Sequence, residues 1–197
     1  MTSAAPPVVL ASGSPYRREL LARLLADFEV VVPAADETPH PNEAPPDLAS
    51  RLAGAKALEV CRQRPAAVVI GSDQVAECGG RVLGKPVTVE RAVGQLADCS
   101  GKTLTLYTAV RVVGPRGSEF ELSHVDQTRL RFRELTREAI RRYVERDRPL
   151  DCAGSFRFEG LGAALFAEAQ TCDPTAIQGL PLLWLAQSLE RVGVRVL

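Results

Sequence analysis

Short apolar runs alternate with amphipathic stretches along this chain, a pattern typical of proteins that mix strands with helices. Residues 8–11, 67–71 and 103–113 are apolar and rich in β-branched side chains, which predicts buried strands. Residues 47–63 and 89–98 carry apolar side chains at helical spacing, which predicts helices that cover those strands. We therefore expect a mixed α/β fold in which a mixed β-sheet is flanked by helices.

Turn signals divide the rest of the chain into further elements. Gly79-Gly80 predicts the turn of a hairpin, and "PRGS" at 115–118 predicts the turn between two long strands. Ser14 followed by Pro15 is a typical helix start, with Ser as the N-cap. Further strands are predicted at residues 28–32, 119–132 and 163–170, and further helices at residues 136–147 and 182–192. No repeat or linker divides the chain, so we expect a single domain over residues 1–197.

The composition narrows the classes of function. Lys and Arg together number 24, as do Asp and Glu, and this balance argues against a nucleic-acid-binding protein. No apolar run has the length of a membrane span, and the first residues lack the basic start of a signal peptide. We therefore expect a cytoplasmic protein with no membrane partner, and free thiols at its five cysteines. His40 and His124 lack zinc-site spacing, so we expect both at the surface.

A carboxylate stands in the middle of an apolar run. The segment "IGSDQV" places polar residues on both sides of Asp73, and we expect them to interrupt the strand. A buried carboxylate is costly unless it is paired, hydrogen-bonded or bound to a metal. Asp36-Glu37 is a second acidic position, and two such positions suit Mg²⁺, which combines one or two protein carboxylates with substrate phosphates and water. The alternative is that Asp73 caps a turn near a bulge.

Basic residues stand at two places where local structure alone does not favour them. Arg17 and Arg18 fall in the first turn of a predicted helix, where the helix dipole disfavours cations, and a bound oxyanion would remove that conflict. They could equally be solvated surface arginines. Lys56 follows Leu48 and Leu52 at helical spacing, which puts it on an apolar stripe. Its ammonium either reaches solvent at the rim or enters a cleft to meet phosphate.

The segment "GGRVLGKP" fits the start of a P-loop but departs from it at one decisive position. Pro86 stands where a P-loop has the Ser or Thr that binds Mg²⁺, and proline has no backbone N–H to donate. The segment is also better explained as the return strand of a hairpin. We therefore exclude a P-loop NTPase and retain Lys85 as a candidate phosphate ligand.

Motifs spread over nearly the whole chain resemble those of one family. In chain order they are "LASGSPYRRELL", "DETP", "RLAGAKA", "IGSDQV", "GKP", "CSGKTLTLYT", "CAGSFRFEGLG" and "GLPL". Together they resemble the Maf family of nucleotide pyrophosphatases. The resemblance implies two lobes about an elongated mixed sheet, with a cleft between them. It also implies hydrolysis of a nucleoside triphosphate to the monophosphate and diphosphate, with a divalent cation.

The resemblance also implies roles for individual residues. Asp73 matches the family's proton acceptor, and Glu37 and Asp73 would hold the divalent cation (Mg²⁺, Mn²⁺ or Co²⁺). The other matched positions, which would bind substrate or neutralise charge on the leaving diphosphate, are Ser12, Ser14, Arg17, Arg18, Lys56 and Lys85. The chain departs from the family at "KTLTLYT", where a histidine is common, so no role is transferred to that strand.

Three residues resemble the branch of the family that acts on 7-methyl-GTP: Tyr16, Gln74 and Glu159. A methylated guanine ring is cationic, and the face of Tyr16 would attract it by about 0.5–2 kcal/mol. Glu159 could accept hydrogen bonds from the guanine N1–H and N2–H₂ groups. We therefore expect hydrolysis of 7-methyl-GTP. The alternatives are a dTTP/UTP pyrophosphatase of the same family and a non-catalytic nucleotide-binding regulator of septum formation; a homodimer is compatible with the sequence.

Overall fold

The structure is a computed structural model that describes residues 6–115 and 120–197. The α-helices in these residues are α1 (Pro15–Leu21), α2 (Pro45–Gln63), α3 (Val89–Cys99), α4 (Arg137–Asp147) and α5 (Leu182–Arg191). The strands are β1 (Val8–Ala11), β2 (Glu29–Val31), β3 (Val68–Cys78), β4 (Arg81–Leu83), β5 (Thr103–Val113), β6 (Glu121–Phe132) and β7 (Phe166–Gln170). Short 3₁₀ helices cover Ala153–Ser155, Leu161–Leu165 and Pro174–Gln178. Every helix in the described residues is too short or too polar to traverse a bilayer.

The strands form a mixed sheet in the order β2-β1-β3-β5-β6-β7, with β4 paired to β3. β1 runs parallel to both of its neighbours, so that Ala11 lies opposite Val31 on one side and Gly71 on the other. β4 and β7 pair antiparallel with β3 and β6. The predicted mixed α/β fold is confirmed. The predicted "PRGS" turn lies largely outside the described residues.

Two compact units divide the described residues. Unit 1 comprises those within Met1–Asp73, Thr108–Asp126 and Asp173–Leu197, and unit 2 those within Gln74–Tyr107 and Gln127–Cys172. Each unit is assembled from separate stretches of chain. The chain therefore passes from one unit to the other several times.

In unit 1, different helices cover the two faces of the parallel strands. Alternate residues of a strand point to opposite faces, so Val8 and Leu10 of β1 join one apolar cluster and Val9 and Ala11 join another. The first cluster is completed by leucines of α1 and α5, and the second by residues of α2. Unit 1 is thus a helix–sheet–helix sandwich whose central strands are β1 and the first half of β3.

Unit 2 has a core of its own around α3 and α4. Leu96 of α3 and Ile140 of α4 are fully buried. The ring of Phe132 packs against that of Phe166 at a tilt of 44°, with ring centroids 4.4 Å apart, where β6 pairs with β7. The hairpin predicted at Gly79-Gly80 joins β3 to β4, and both glycines have the positive φ that the turn requires. The free thiols expected at all five cysteines are confirmed.

Two details of the sequence prediction are wrong. β3 runs without a break through the segment around Asp73, because the charge of that residue is balanced by a cation and the strand does not have to open to water. The strand predicted at residues 163–170 begins at Phe166, since the preceding residues form the 3₁₀ helix Leu161–Leu165.

Candidate active site

A buried ammonium joins two carboxylates in unit 1. Lys56 Nζ lies 2.6 Å from Asp73 Oδ1 and 2.5 Å from Glu37 Oε1. Lys56 is 7% exposed and Asp73 is 9% exposed, whereas the side chain of Glu37 is 61% exposed. The three side chains carry a net charge of −1 and reach from the interior to solvent. Carboxylates arranged in this way can bind a cation or accept a proton.

A glycine on β3 brings the helix of Lys56 close to the strand of Asp73. A Cβ atom built on Gly71 would lie 2.3 Å from the Ala53 carbonyl oxygen and 2.7 Å from the Ala57 nitrogen, both on α2. These distances are too short for any side chain, so glycine is required for this approach. The expectation that Lys56 lies on an apolar stripe is confirmed, and its stem packs inside while its ammonium meets Asp73.

Glu37 lies on a loop that is joined to α2 by a bidentate ion pair, the Arg51–Glu43 fork. Arg51 Nε donates to Glu43 Oε1 at 2.6 Å, and Arg51 Nη2 donates to Glu43 Oε2 at 2.8 Å and to the Thr38 carbonyl at 3.0 Å. Glu43 also accepts from the His40 backbone N–H. The Arg51 hydrogen bond, followed by that from His40, lowers the pKa of Glu43 to about 2. The fork therefore stays charged and fixes the loop beside Lys56.

Asp36 does not join the site. Its Oδ1 accepts from the Thr38 backbone N–H at 2.9 Å, and hydrogen bonds from Thr38 lower its pKa. The acidic member of the "DETP" segment that reaches Lys56 is Glu37.

Arg17 extends from α1 toward the same carboxylates. The predicted helix start is confirmed, because Ser14 Oγ accepts from the Arg17 backbone N–H. The Arg17 guanidinium donates from Nε to the Gly179 carbonyl at 2.8 Å and from Nη1 to Ser12 Oγ at 3.4 Å. Burial lowers the pKa of Arg17, and the charges of Asp73 and Glu37 oppose that shift. Arg17 remains a cation in the field of the acidic pair.

The Gly179 carbonyl and the Ser72 hydroxyl are partners that sequence reasoning missed. Ser72 Oγ lies 2.8 Å from the Ala109 carbonyl oxygen and 2.9 Å from that of Gly179. A backbone carbonyl leaves no signature in a sequence. The available signal was the motif "GLPL", because Gly179 has φ +108°, a conformation that favours glycine.

The other predicted site residues lie in different surroundings. On α1, Arg18 is exposed and Tyr16 is half-buried. In unit 2, Gln74 follows Asp73 on β3, and Lys85 and Glu159 are exposed. Unit 1 thus brings together five of the predicted residues: Ser12, Arg17, Glu37, Lys56 and Asp73.

Two carboxylates that converge on one cation fit a hard metal ion with a partly open coordination sphere. The described residues contain no cluster of three or more His, Cys, Asp or Glu side chains that could enclose a metal. Oxygens of Glu37 and Asp73 instead approach the same nitrogen within 2.6 Å. Mg²⁺ typically takes one or two carboxylates and completes its sphere with water and substrate phosphates, so this donor set fits it.

Comparisons with known proteins identify a matching family and relatives of similar sequence. The family described as "Maf-like protein" matches residues 7–192. A 7-methyl-GTP pyrophosphatase of Nitrosococcus oceani is 50% identical over 198 residues, covering 100% of this chain and 99% of that protein. A 7-methyl-GTP pyrophosphatase of Polaromonas sp. is 51% identical over 194 residues, covering 98% and 88%. Among solved structures, the Staphylococcus aureus Ham1 protein shares 14% identity over 79% of this chain and 89% of that one, with a TM-score of 0.46, too low to bear on the fold.

Proposed function

This chain belongs to the Maf family, and we propose that it hydrolyses 7-methyl-GTP to 7-methyl-GMP and diphosphate. The observation that carries the proposal is the buried Lys56 ammonium between the carboxylates of Asp73 and Glu37, with Arg17 beside them. The substrate is suggested by the name of relatives about half identical over the full chain. In this proposal the enzyme acts in the cytoplasm on a free nucleotide, as one domain of 197 residues.

Asp73 is the residue to which we assign the proton of the attacking water. Lys56 donates a hydrogen bond to Oδ1 of this carboxylate, and Oδ2 would accept the proton while the water oxygen bonds to the α-phosphorus. The bond between the α-phosphorus and the bridging oxygen breaks, and diphosphate leaves with that electron pair. Arg17 would neutralise the charge that develops on the leaving group. A well-placed base contributes about 10² to 10⁴ in rate.

Glu37 and Asp73 are the residues that would hold a divalent cation, Mg²⁺, Mn²⁺ or Co²⁺. When bound, the cation would polarise phosphate oxygens and offset their charge. The exposure of Glu37 suits this role, because a metal that arrives from solvent with the nucleotide has to reach the carboxylate. Ser12 and Ser14, near the start of α1, would add hydrogen bonds to the phosphates, and Arg18 a positive charge.

The remaining matched residues would also bind the substrate in this proposal. Lys85 would add positive charge for the phosphates. Glu159 would accept hydrogen bonds from the guanine edge, and Gln74 would bind the nucleotide near Asp73. Tyr16 would face the cationic methylated ring, an attraction of about 0.5–2 kcal/mol.

Release of diphosphate from a panel of nucleotides tests the proposal. 7-methyl-GTP, GTP, dTTP and UTP are compared with each of the three cations. We expect 7-methyl-GTP to have the highest kcat/KM, and Asp73→Asn to lower kcat by about 10² to 10⁴ while the circular dichroism spectrum stays unchanged. A preference for dTTP or UTP would contradict the substrate. A wild-type protein that binds nucleotides without hydrolysing any would support a regulator, and a fully active Asn variant would remove Asp73 from its role.

A further inference from the structure

We propose that Asp173 and Thr175 are positioning residues for the reaction. They fix the segment that ends at Gly179, and through the Gly179 carbonyl they set the direction of the Arg17 guanidinium. The effect on catalysis rests on the proposed function, in which Arg17 binds the triphosphate. The contacts that carry it all lie within unit 1.

A set of hydrogen bonds joins the start of this segment to the residues that follow Gly179. Asp173 Oδ1 accepts from the Thr175 backbone N–H at 2.9 Å and from its hydroxyl at 2.6 Å. Asp173 Oδ2 accepts from the Leu183 N–H at 2.7 Å, and Thr175 Oγ1 accepts from the Leu182 N–H at 2.9 Å. Asp173 is only 3% exposed, so water does not compete strongly for these bonds. The start of the 3₁₀ helix Pro174–Gln178 is thereby tied to the first turn of α5, and Gly179 lies between the two.

Further contacts fix the direction of the Gly179 carbonyl. The Gly179 N–H donates to the Ala176 carbonyl, which also accepts from the buried Thr108 hydroxyl at 2.9 Å. The hydroxyl of Ser72 lies 2.9 Å from the Gly179 oxygen. A Cβ atom on Gly179 would come within 3.2 Å of Arg17 Nε, so the backbone and the guanidinium are in close contact. The carbonyl is thus held from several sides where it accepts from Arg17.

A fixed carbonyl restricts the orientation of an arginine because the guanidinium is planar. Of the five N–H groups of Arg17, the described residues engage one on Nε and one on Nη1. Three N–H groups of Arg17 therefore remain for an anion. They lie in the plane of the guanidinium, whose orientation is restricted by the hydrogen bond to the Gly179 carbonyl. A misplacement of about 1 Å can cost about 10²-fold in rate. Loosening the segment should therefore lower kcat although neither Asp173 nor Thr175 touches the substrate.

Thr175→Val is the main test, since it removes both hydroxyl hydrogen bonds and keeps the β-branched shape. We expect kcat for 7-methyl-GTP to fall about 10-fold. This is less than the 10²-fold loss for a full misplacement of about 1 Å, because the other contacts of the segment remain. Thr136→Val is the matched control: its hydroxyl caps α4 in unit 2, so that variant should lose stability and keep its kcat. In an Arg17→Lys background, which has no Nε–H group, Thr175→Val should cause no further loss of kcat.

A second readout is independent of turnover. The Arg17 Nε–H proton, assigned by its absence in Arg17→Lys, should exchange slowly with water in the wild type and faster in Thr175→Val. If Thr175→Val does not fold, Asp173→Asn offers the same measurement, because its amide cannot serve every donor that the carboxylate serves. Unchanged kcat and unchanged Nε–H exchange in an active enzyme would overturn the inference. A wild type that hydrolyses no triphosphate would instead remove the proposed function, and the exchange rate would still decide whether Asp173 and Thr175 hold Arg17.

Discussion

Gly71→Ala should damage stability and catalysis together, because this glycine sets the distance between Lys56 and Asp73. The added methyl group would meet the backbone of α2, at 2.3 Å from the Ala53 oxygen and 2.7 Å from the Ala57 nitrogen. Neither atom belongs to a flexible side chain that could turn aside. The helix or the strand therefore has to move.

The size of the effect follows from these distances. Ordinary contact begins about 1 Å farther out than the Ala53 oxygen lies, so α2 must retreat by about that amount. Overpacking of a core costs about 1–3 kcal/mol, and a backbone obstacle favours the upper end of that range. The same retreat would lengthen the 2.6 Å contact between Lys56 Nζ and Asp73 Oδ1, and a shift of about 1 Å can cost about 10²-fold in rate.

Gly54→Ala provides a matched control on the same helix. A Cβ atom at Gly54 would have no neighbour within 4 Å. Replacing a helical glycine by alanine at a compatible site stabilises a protein by about 0.4–1 kcal/mol. Urea unfolding and kcat for 7-methyl-GTP are measured for both variants. If Gly71→Ala matched the wild type in both measurements, α2 would not be held against β3 as tightly as these distances require, and the reasoning would be refuted.

Two further predictions concern charged contacts of unit 1. Lys56→Met leaves the two carboxylates without their shared cation, and breaking a buried pair costs about 3–5 kcal/mol; we expect the lower end because Glu37 is exposed. Urea unfolding should show this loss, and little change for the exposed Lys102→Met; equal losses would contradict it. Glu43→Gln tests the fork with Arg51, which lowers the Glu43 pKa from its ordinary 4.5 to about 2. Since the folded pKa is the lower one, the carboxylate stabilises fully above about pH 4.5 and loses this effect as the pH falls toward 2. The gap in unfolding free energy between wild type and Glu43→Gln should narrow over that window, and a constant gap would count against the fork.

The parts of the site that could be predicted from the sequence are the charged residues that interrupt a regular pattern of apolar positions. Lys56 falls in register with Leu48 and Leu52, so its ammonium has either to reach solvent at the rim or to meet an anion in a cleft. Asp73 falls within an apolar run, where a carboxylate is costly unless it is paired, hydrogen-bonded or bound to a metal. Each residue was conspicuous because it broke a local pattern, and the structure pairs the two.

Contacts between distant segments could not be predicted in this way. Arg17 and Gly179 are 162 residues apart, and the contact uses a backbone carbonyl that every residue possesses. The fork between Arg51 and Glu43 joins a helix to an irregular loop. Because residues of such a loop follow no regular spacing, the sequence does not indicate which of them faces the helix. The unbroken β3 was missed for a related reason: whether a carboxylate interrupts a strand depends on a cation that another element supplies.

The charges at the centre of unit 1 are hard to explain by stability alone. Lys56 and Asp73 each lose most of their hydration, and a buried ion pair seldom repays that cost better than apolar residues of similar volume. The fold nevertheless shapes β3 around a glycine so that the pair can form, and it adds a second carboxylate that a neutral pair would not need. Arg17 adds a second cation beside the same two carboxylates, so four charged side chains meet where the core alone would need none. In the proposed function this cost has a reason, because these side chains would contact the charged groups of the substrate and its cation.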